Sequence, residues 1–309
     1  MIKIPILYIV FNRPDIVERS LEHICKIAPT RMFIAADGPR KDLAEDALKC
    51  AQVREIIQKK IDWPCEVEYL YREENLGCGK AVSEAITWFF SKVEKGIILE
   101  DDCFPDPTFF KFCEVLLNKY EKDKRVFHIS GSNWQLGRSR GKADYYLSNF
   151  PAVWGWATWR DRWEKYSLEI ITKQNLKKVK KWLNEQKVTK PEIDYHMNCF
   201  EQCMNGDIDT WDYQWRFLIF LNKAHSITPN RNVISNIGHR EDGTHTLNQE
   251  HWRANLETNS IEFPLEHPQK LRVNLKADRY IIHRLLEEWY PGTRSISFLK
   301  KVNNLLKNL

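Results

Sequence analysis

The first 130 residues alternate apolar runs of strand length with longer amphipathic stretches, which is the pattern of a parallel sheet with helices on its faces. IPILYIVFN reads as the first strand. Pro14 to Lys26 follows as a helix, with Val17, Leu21 and Ile24 on one face and a proline at its start. RMFIAADG is a second strand ending in a turn at Asp37, Gly38 and Pro39, and a charged helix runs from about 41 to 60. CEVEYLYRE is a third strand, and ENLGCGKAVSEAITWFF is a glycine turn opening a helix. GIILEDD is a fourth strand that runs into three acids, DPTFFKFCEVLLNKY is the next helix, and RVFHISGSN is a fifth strand.

After residue 140 the order is harder to read. A lysine-rich helix is expected from 173 to 187, and a second helix from 209 to 224 with Asp209 as its N-cap. Trp156, Trp159 and Trp163 fall on one helical face, which makes Trp159 and Trp163 core residues. Trp154 and Trp156 flank Gly155 before that helix and are acceptor-site candidates, because sugar rings expose C–H faces that pack on aromatic rings. NVISNIGHREDGTHT is read as a loop able to close over a ligand, and its His245 is either a metal ligand, a diphosphate contact or simply exposed.

Composition excludes several classes. With 309 residues, 43% apolar and a mean hydropathy of -0.53, the chain has the profile of a soluble globular protein. No uncharged apolar stretch approaches the ~20 residues that cross a bilayer. The N-terminal run lacks the longer core and cleavage site of a signal peptide, so secretion is not expected. Eight scattered cysteines with no CxxC suit reduced thiols and a cytoplasmic location. A net charge of +5 is too weak to announce nucleic acid. Residues 294–309 place Phe298, Leu299, Val302, Leu305, Leu306 and Leu309 at helical spacing with lysines opposite. They either dock on their own domain or make a peripheral contact with the inner face of a membrane.

The chemistry concentrates at strand ends. Glu100, Asp101 and Asp102 close an apolar strand, where open α/β sheets bind ligands. Three carboxylates there repel one another, and a hard divalent cation relieves the repulsion while bridging to diphosphate oxygens. The alternative is a solvated acidic turn before the helix near Asp106. Asn12 and Arg13 follow the first strand, Asp37 and Gly38 the second, and Asn75 to Lys80 the third, so each offers polar groups to one rim. GCGKA does not complete a Walker loop, and no GxGxxG follows the first strand, which disfavours P-loop and dinucleotide sites.

Taken in order, FNRP, ADGP, ENLGCGKA, LEDDCFPDPTFFKF, YYLSNFPAVWGWATW and TWDYQW resemble nucleotide-diphospho-sugar glycosyltransferases of the GT-A fold. The acidic motif is similar to the EDD form found in inverting N-acetylglucosaminyltransferases, and the first half is also similar to family 2 glycosyltransferases, though their usual QxxRW ending is absent. The resemblance implies a mixed, mostly parallel sheet flanked by helices, with helical additions and a C-terminal helical tail. It implies a catalytic domain over 1–225 (a donor half to 135, an acceptor half from 136), a lid loop and extension over 226–275, and a tail over 276–309. It further implies Mn2+ or Mg2+, a UDP-sugar donor, best UDP-N-acetylglucosamine, and a glycan or lipid-linked saccharide acceptor.

Carried over by residue, the resemblance sets Asn12 in the donor site, Arg13 near the diphosphate and Asp37 on the uracil or ribose. Asp102 is the metal ligand, and Glu100 and Asp101 contact the donor sugar and ribose. Gly77, Gly79 and Lys80 lie beside the nucleotide. Asp212 is the catalytic base, with Asp209 as the competing candidate. Two other classes stay open: a sugar-1-phosphate nucleotidyltransferase, and a carbohydrate-binding protein on a transferase scaffold without catalysis.

Overall fold

A computed structural model describes residues 2–239 and 251–289. The expected alternation is present: β1 (Ile6–Val10), α1 (Pro14–Cys25), β2 (Arg31–Ala36), α2 (Ala44–Lys60), β3 (Glu66–Tyr71), α3 (Gly77–Lys92), β4 (Lys95–Glu100), β5 (Cys103–Pro105), α4 (Pro107–Lys119) and β6 (Val126–Ser130). Then come β7 (Tyr145–Ser148), β8 (Trp156–Trp159), α5 (Arg160–Trp163), α6 (Lys173–Glu185), α7 (Lys190–Asn205), α8 (Asp212–Leu221), β9 (His225–Pro229), β10 (Ile234–Asn236) and α9 (Leu275–Trp289).

Eight strands form one sheet in the order β3-β2-β1-β4-β8-β6-β9-β7. β3, β2, β1 and β4 are parallel neighbours, β8 runs antiparallel to both β4 and β6, β6 and β9 are parallel, and β7 is antiparallel to β9. The sheet is therefore mixed and mostly parallel, as expected of a GT-A type α/β fold. Because successive strand residues point to opposite faces, β1 sends Ile6, Tyr8 and Val10 into a core shared with α1, α2 and α4, and Leu7 and Ile9 into a second core under α3, α6, α7 and α8. Phe109, Phe110 and Phe112 of α4 are fully buried in the first core, each stabilising the fold by about 2 kcal/mol on ordinary transfer values. A third cluster joins Trp134, Phe150, Tyr195 and Cys199 to Ile281, Ile282 and Leu285 of α9.

Three sequence expectations change. WATW is a strand, not the start of a helix, and the helical turn begins only at Arg160. Trp and Thr suit a pleated surface, and the pleat sends Trp156 into one core and Trp159 into the other. The helix expected from 209 starts at Asp212, with Trp211 as its N-cap residue. The expected loop over 232–246 contains β10, paired antiparallel with β5 immediately after the acidic triad.

Among the described residues no helix is long and apolar enough to cross a membrane. Residues 294–309 and His245 lie outside the described residues.

Candidate active site

The carboxyl ends of β1, β2, β3 and β4 share one rim, and the site is built there. At the end of β1, Arg13 donates from Nε and Nη2 to the two oxygens of the Asp101 carboxylate, and Nη2 reaches Asp102 Oδ2 at 3.2 Å. Asp101 is 2% exposed, with both oxygens engaged by Arg13, so it anchors the arginine instead of facing a sugar. Three acids and one arginine leave the cluster short of positive charge. Burial, together with Asp102, Asp101 and Asp212, pushes the half-buried Glu100 carboxyl up to about 8.

Asp102 has a built setting. Its Oδ1 accepts from the Asn236 side chain at 3.0 Å, and its backbone carbonyl accepts from Ile237 N–H at 3.0 Å. Gly238 packs so tightly that a Cβ there would lie 2.1 Å from Asp102 Oδ2. β10 and the residues after it thus form a cradle around the last acid of the triad. His239 comes next; it is 2% exposed, with its ring edge-on to Trp154 at 5.4 Å and stacked on His251 at 4.8 Å.

Asp37 is mostly buried and ties two strand ends together: its oxygens accept from the N–H groups of Gly38 and Leu76 and from the Asn75 amide at 2.9 Å. Asn12 donates to Asp46 at 2.7 Å, and Asp46 in turn holds Arg40. Its side chain therefore braces α2 and does not present a free amide to the rim. Lys80 is exposed and its ammonium lies 3.8 Å from Glu84.

The start of α3 is capped from far along the chain. Asp209 Oδ1 accepts from Gly79 N–H at 3.2 Å, and a Cβ on Gly79 would lie 2.5 Å from that oxygen. Asp209 is thus a cap, as its residue type suggested, but of α3 and not of its own helix. Gly77 has φ +79°, a left-handed turn that lets the chain enter α3 beside this carboxylate. Asp212, half-buried in the first turn of α8, accepts from the Thr210 hydroxyl. The Cys78 thiol is held far above its ordinary value by burial and then by Glu100, Asp212, Asp209 and Asp102 in that order. One thiol is thus within electrostatic reach of both the cradle acid and the α8 acid.

The acceptor-side tryptophans separate. Trp156 is fully buried, stacked on His128 at 4.9 Å and on Trp211 at 5.5 Å, so the expectation that it meets an acceptor is overturned. Trp154 is half-buried, edge-on to Trp134 at 5.2 Å and under the Arg253 guanidinium at 5.5 Å. Gly155 between them has φ +61° and takes the Ile234 side chain where a Cβ would be.

The donor set of the acidic rim fits a hard cation. A carboxylate in a cluster with surplus negative charge supplies oxygen, which Mg2+ and Mn2+ prefer. Among the described residues no three His, Cys, Asp or Glu side chains converge on one point.

These features define a nucleotide-sugar transferase fold with an acidic cleft at its strand ends. The family model for glycosyl transferase family 2 matches residues 6–165, more than half of the chain, and the chain belongs to that family. No curated protein matches it in sequence. Solved structures similar to it include UDP-glucose pyrophosphorylase without ligand, at 13% identity over 74% of this chain and 90% of the other, TM-score 0.39. UDP-glucose pyrophosphorylase complexed with UDP-glucose aligns at 15% identity over 53% and 78%, TM-score 0.32. HddC from Yersinia pseudotuberculosis aligns at 12% over 53% and 80%, TM-score 0.32. Likenesses this slight carry no functional argument.

Sequence reasoning passed over His239, Arg216 and Arg253. His239 was within reach, because it adjoins Gly238 in a stretch already read as a site loop.

Proposed function

We propose that this family 2 glycosyltransferase transfers a sugar from a UDP-sugar, best UDP-N-acetylglucosamine, to a hydroxyl of a glycan or lipid-linked saccharide, with inversion and with Mn2+ or Mg2+. The observation that carries this reading is the Asp102 carboxylate, cradled by Asn236 and Gly238 at the end of β4; the Asp212 charge acts on the same Glu100 and Cys78 groups as Asp102 does.

Asp102 would hold the cation, which when bound supplies positive charge to a diphosphate leaving group. Arg13 keeps Asp101 and Asp102 in register beside it, and Asp37 fixes the turn that borders a base and ribose. Asp212 accepts the acceptor hydroxyl proton as that oxygen bonds to the anomeric carbon. The bond from that carbon to the diphosphate oxygen breaks, and its electron pair leaves with UDP.

The test is equilibrium binding of UDP with and without Mn2+ on the wild-type chain and on Asp102→Asn, followed by transfer assays with UDP-N-acetylglucosamine. Metal-dependent UDP binding that is lost in a folded Asp102→Asn supports the reading. Binding indifferent to metal and to Asp102 would remove it.

A further inference from the structure

The aromatic cluster that contains Trp134 and Phe150 holds two buried cations that the proposed transfer does not use. Arg216, one helical turn past Asp212 in α8, is 5% exposed. Its guanidinium lies over the rings of Phe150 at 4.3 Å and Tyr213 at 5.0 Å and is hydrogen-bonded to Tyr195. Among the described residues its Nε and Nη1 have no acceptor.

Arg253 is the second cation. It stacks over Trp134 at 4.9 Å and over Trp154 and Trp252 at 5.5 Å each, and its Nε also has no acceptor. Its Nη2 is 3.7 Å from Glu288, a carboxylate that His251 already approaches at 2.9 Å. Burial draws the Arg253 guanidinium below its ordinary value, Glu288 opposes this, and the Arg216 charge adds a smaller push downward.

Buried guanidinium N–H groups left without an acceptor are costly, and the aromatic faces, the Glu288 carboxylate beside Arg253 and the Asp212 charge near Arg216 return only part of that. The two guanidiniums cover the neighbouring rings of Phe150 and Trp134, whose centroids are 5.7 Å apart, and a site of this kind is completed by an oxyanion that a guanidinium fork can grip with two N–H groups. Its place in the cleft narrows the source. Arg216 shares a helix with Asp212, and Arg253 stacks on Trp154, the acceptor-side aromatic. The donor-side arginine, Arg13, is already committed to Asp101 and Asp102.

We propose that the acceptor is an acidic saccharide whose carboxylate or phosphate docks on Arg216 and Arg253, with its ring against Trp154. This rests on Asp212 being the base. The oxyanion fixes the acceptor so that its hydroxyl meets that carboxylate.

Ligand-observed saturation-transfer NMR on the full chain with Mn2+ and UDP, using D-glucuronate, D-glucose 6-phosphate and D-glucose, tests the idea. One or both anionic probes should bind at least about tenfold more tightly than glucose. Arg216→Met and Arg253→Met should each erase that preference, and Arg216→Lys should keep part of it because the charge stays while the fork is lost. A response to glucuronate alone assigns a sugar acid, and a response to glucose 6-phosphate alone assigns a phosphosugar. Equal responses to all three probes overturn the proposal, as does an anion preference that survives in Arg253→Met. Where Arg216→Met does not fold by circular dichroism, Arg253→Met decides. UDP affinity on the same samples separates the causes. If UDP binds normally and no anion preference exists, only this inference falls. If UDP does not bind the wild type, the donor-site reading falls with it. UDP affinity lost in the arginine variants assigns them to the donor and overturns the acceptor role.

Discussion

Gly238 is the residue on which the cradle around Asp102 depends most sharply, since any Cβ there would meet the carboxylate at 2.1 Å. Gly238→Ala is expected to leave the fold intact and to weaken metal-dependent UDP binding at least about tenfold, measured by calorimetry. Asp212→Asn should lower kcat by about 10²–10⁴ while UDP affinity stays near wild type, because a general base acts in the transition state and not in donor binding. Initial-rate kinetics with a saturating donor check this, and a kcat within a few-fold of wild type would remove Asp212 from the role. At this scale the sequence exposed the acids and hid their partners. Asp102 and Asp212 stood out because a strand end and a helix start are local features. Asp101 and Asn12 turn inward onto Arg13 and Asp46, residues 88 and 34 positions away, and no local pattern shows that. Arg216 looked like any helix arginine until Phe150, Tyr195 and Tyr213 enclosed it.

Elements in the first half were legible because each is a long periodic run bounded by turn residues, and α1 and α4 carry a proline in the first turn. The second half mixes short strands with helices, and there WATW was misread because four residues hold too few repeats to separate a period of 2 from one of 3.6. Asp209 was misassigned for a related reason: a cap needs only a nearby helix start, and α3 offers one across the fold. Asp209→Ala should therefore destabilise the protein by about 1 kcal/mol and raise hydrogen exchange at the start of α3, leaving the start of α8 unchanged. The docking of α9 carries a pH signature. Burial raises the Asp278 carboxyl to about 7, against the opposing hydrogen bonds from Ser148 and the Asn149 N–H. An acid whose folded pKa is raised favours the fold fully below its unfolded pKa near 4, and that contribution is lost as pH rises through about 7. Denaturant titrations should show Asp278→Asn gaining on the wild type as pH rises from about 4 to about 7, by an amount on the order of a few kcal/mol, with no further gain above that.

Across the whole molecule, His128 sits where the halves of the sheet meet. It accepts from Trp215 Nε1 at 3.1 Å, its other nitrogen lies 3.0 Å from the Ala152 carbonyl, and it stacks on Trp156. Burial lowers its pKa to about 3, so the neutral ring is required. Its contribution is whole above the unfolded pKa near 6.5 and is lost as pH falls toward 3. Wild type should accordingly lose stability relative to His128→Gln as pH falls from 6.5 to 4 in urea denaturation. The same strands explain why the global layout was partly readable: parallel β1 to β4 follow from the alternation, whereas the insertion of β8 between β4 and β6 is a long-range pairing that no window of sequence contains. That insertion has a practical consequence for anyone recombining this enzyme with relatives. The expected donor half, up to residue 135, contains β6 as its last strand, and β6 meets β4 only through the antiparallel β8 contributed by residues 156–159. Splicing near 135 would cut a zipper whose middle tooth belongs to the other piece. A workable chimera has to keep Trp156–Trp159 from the donor-half parent and graft only what lies on either side of it.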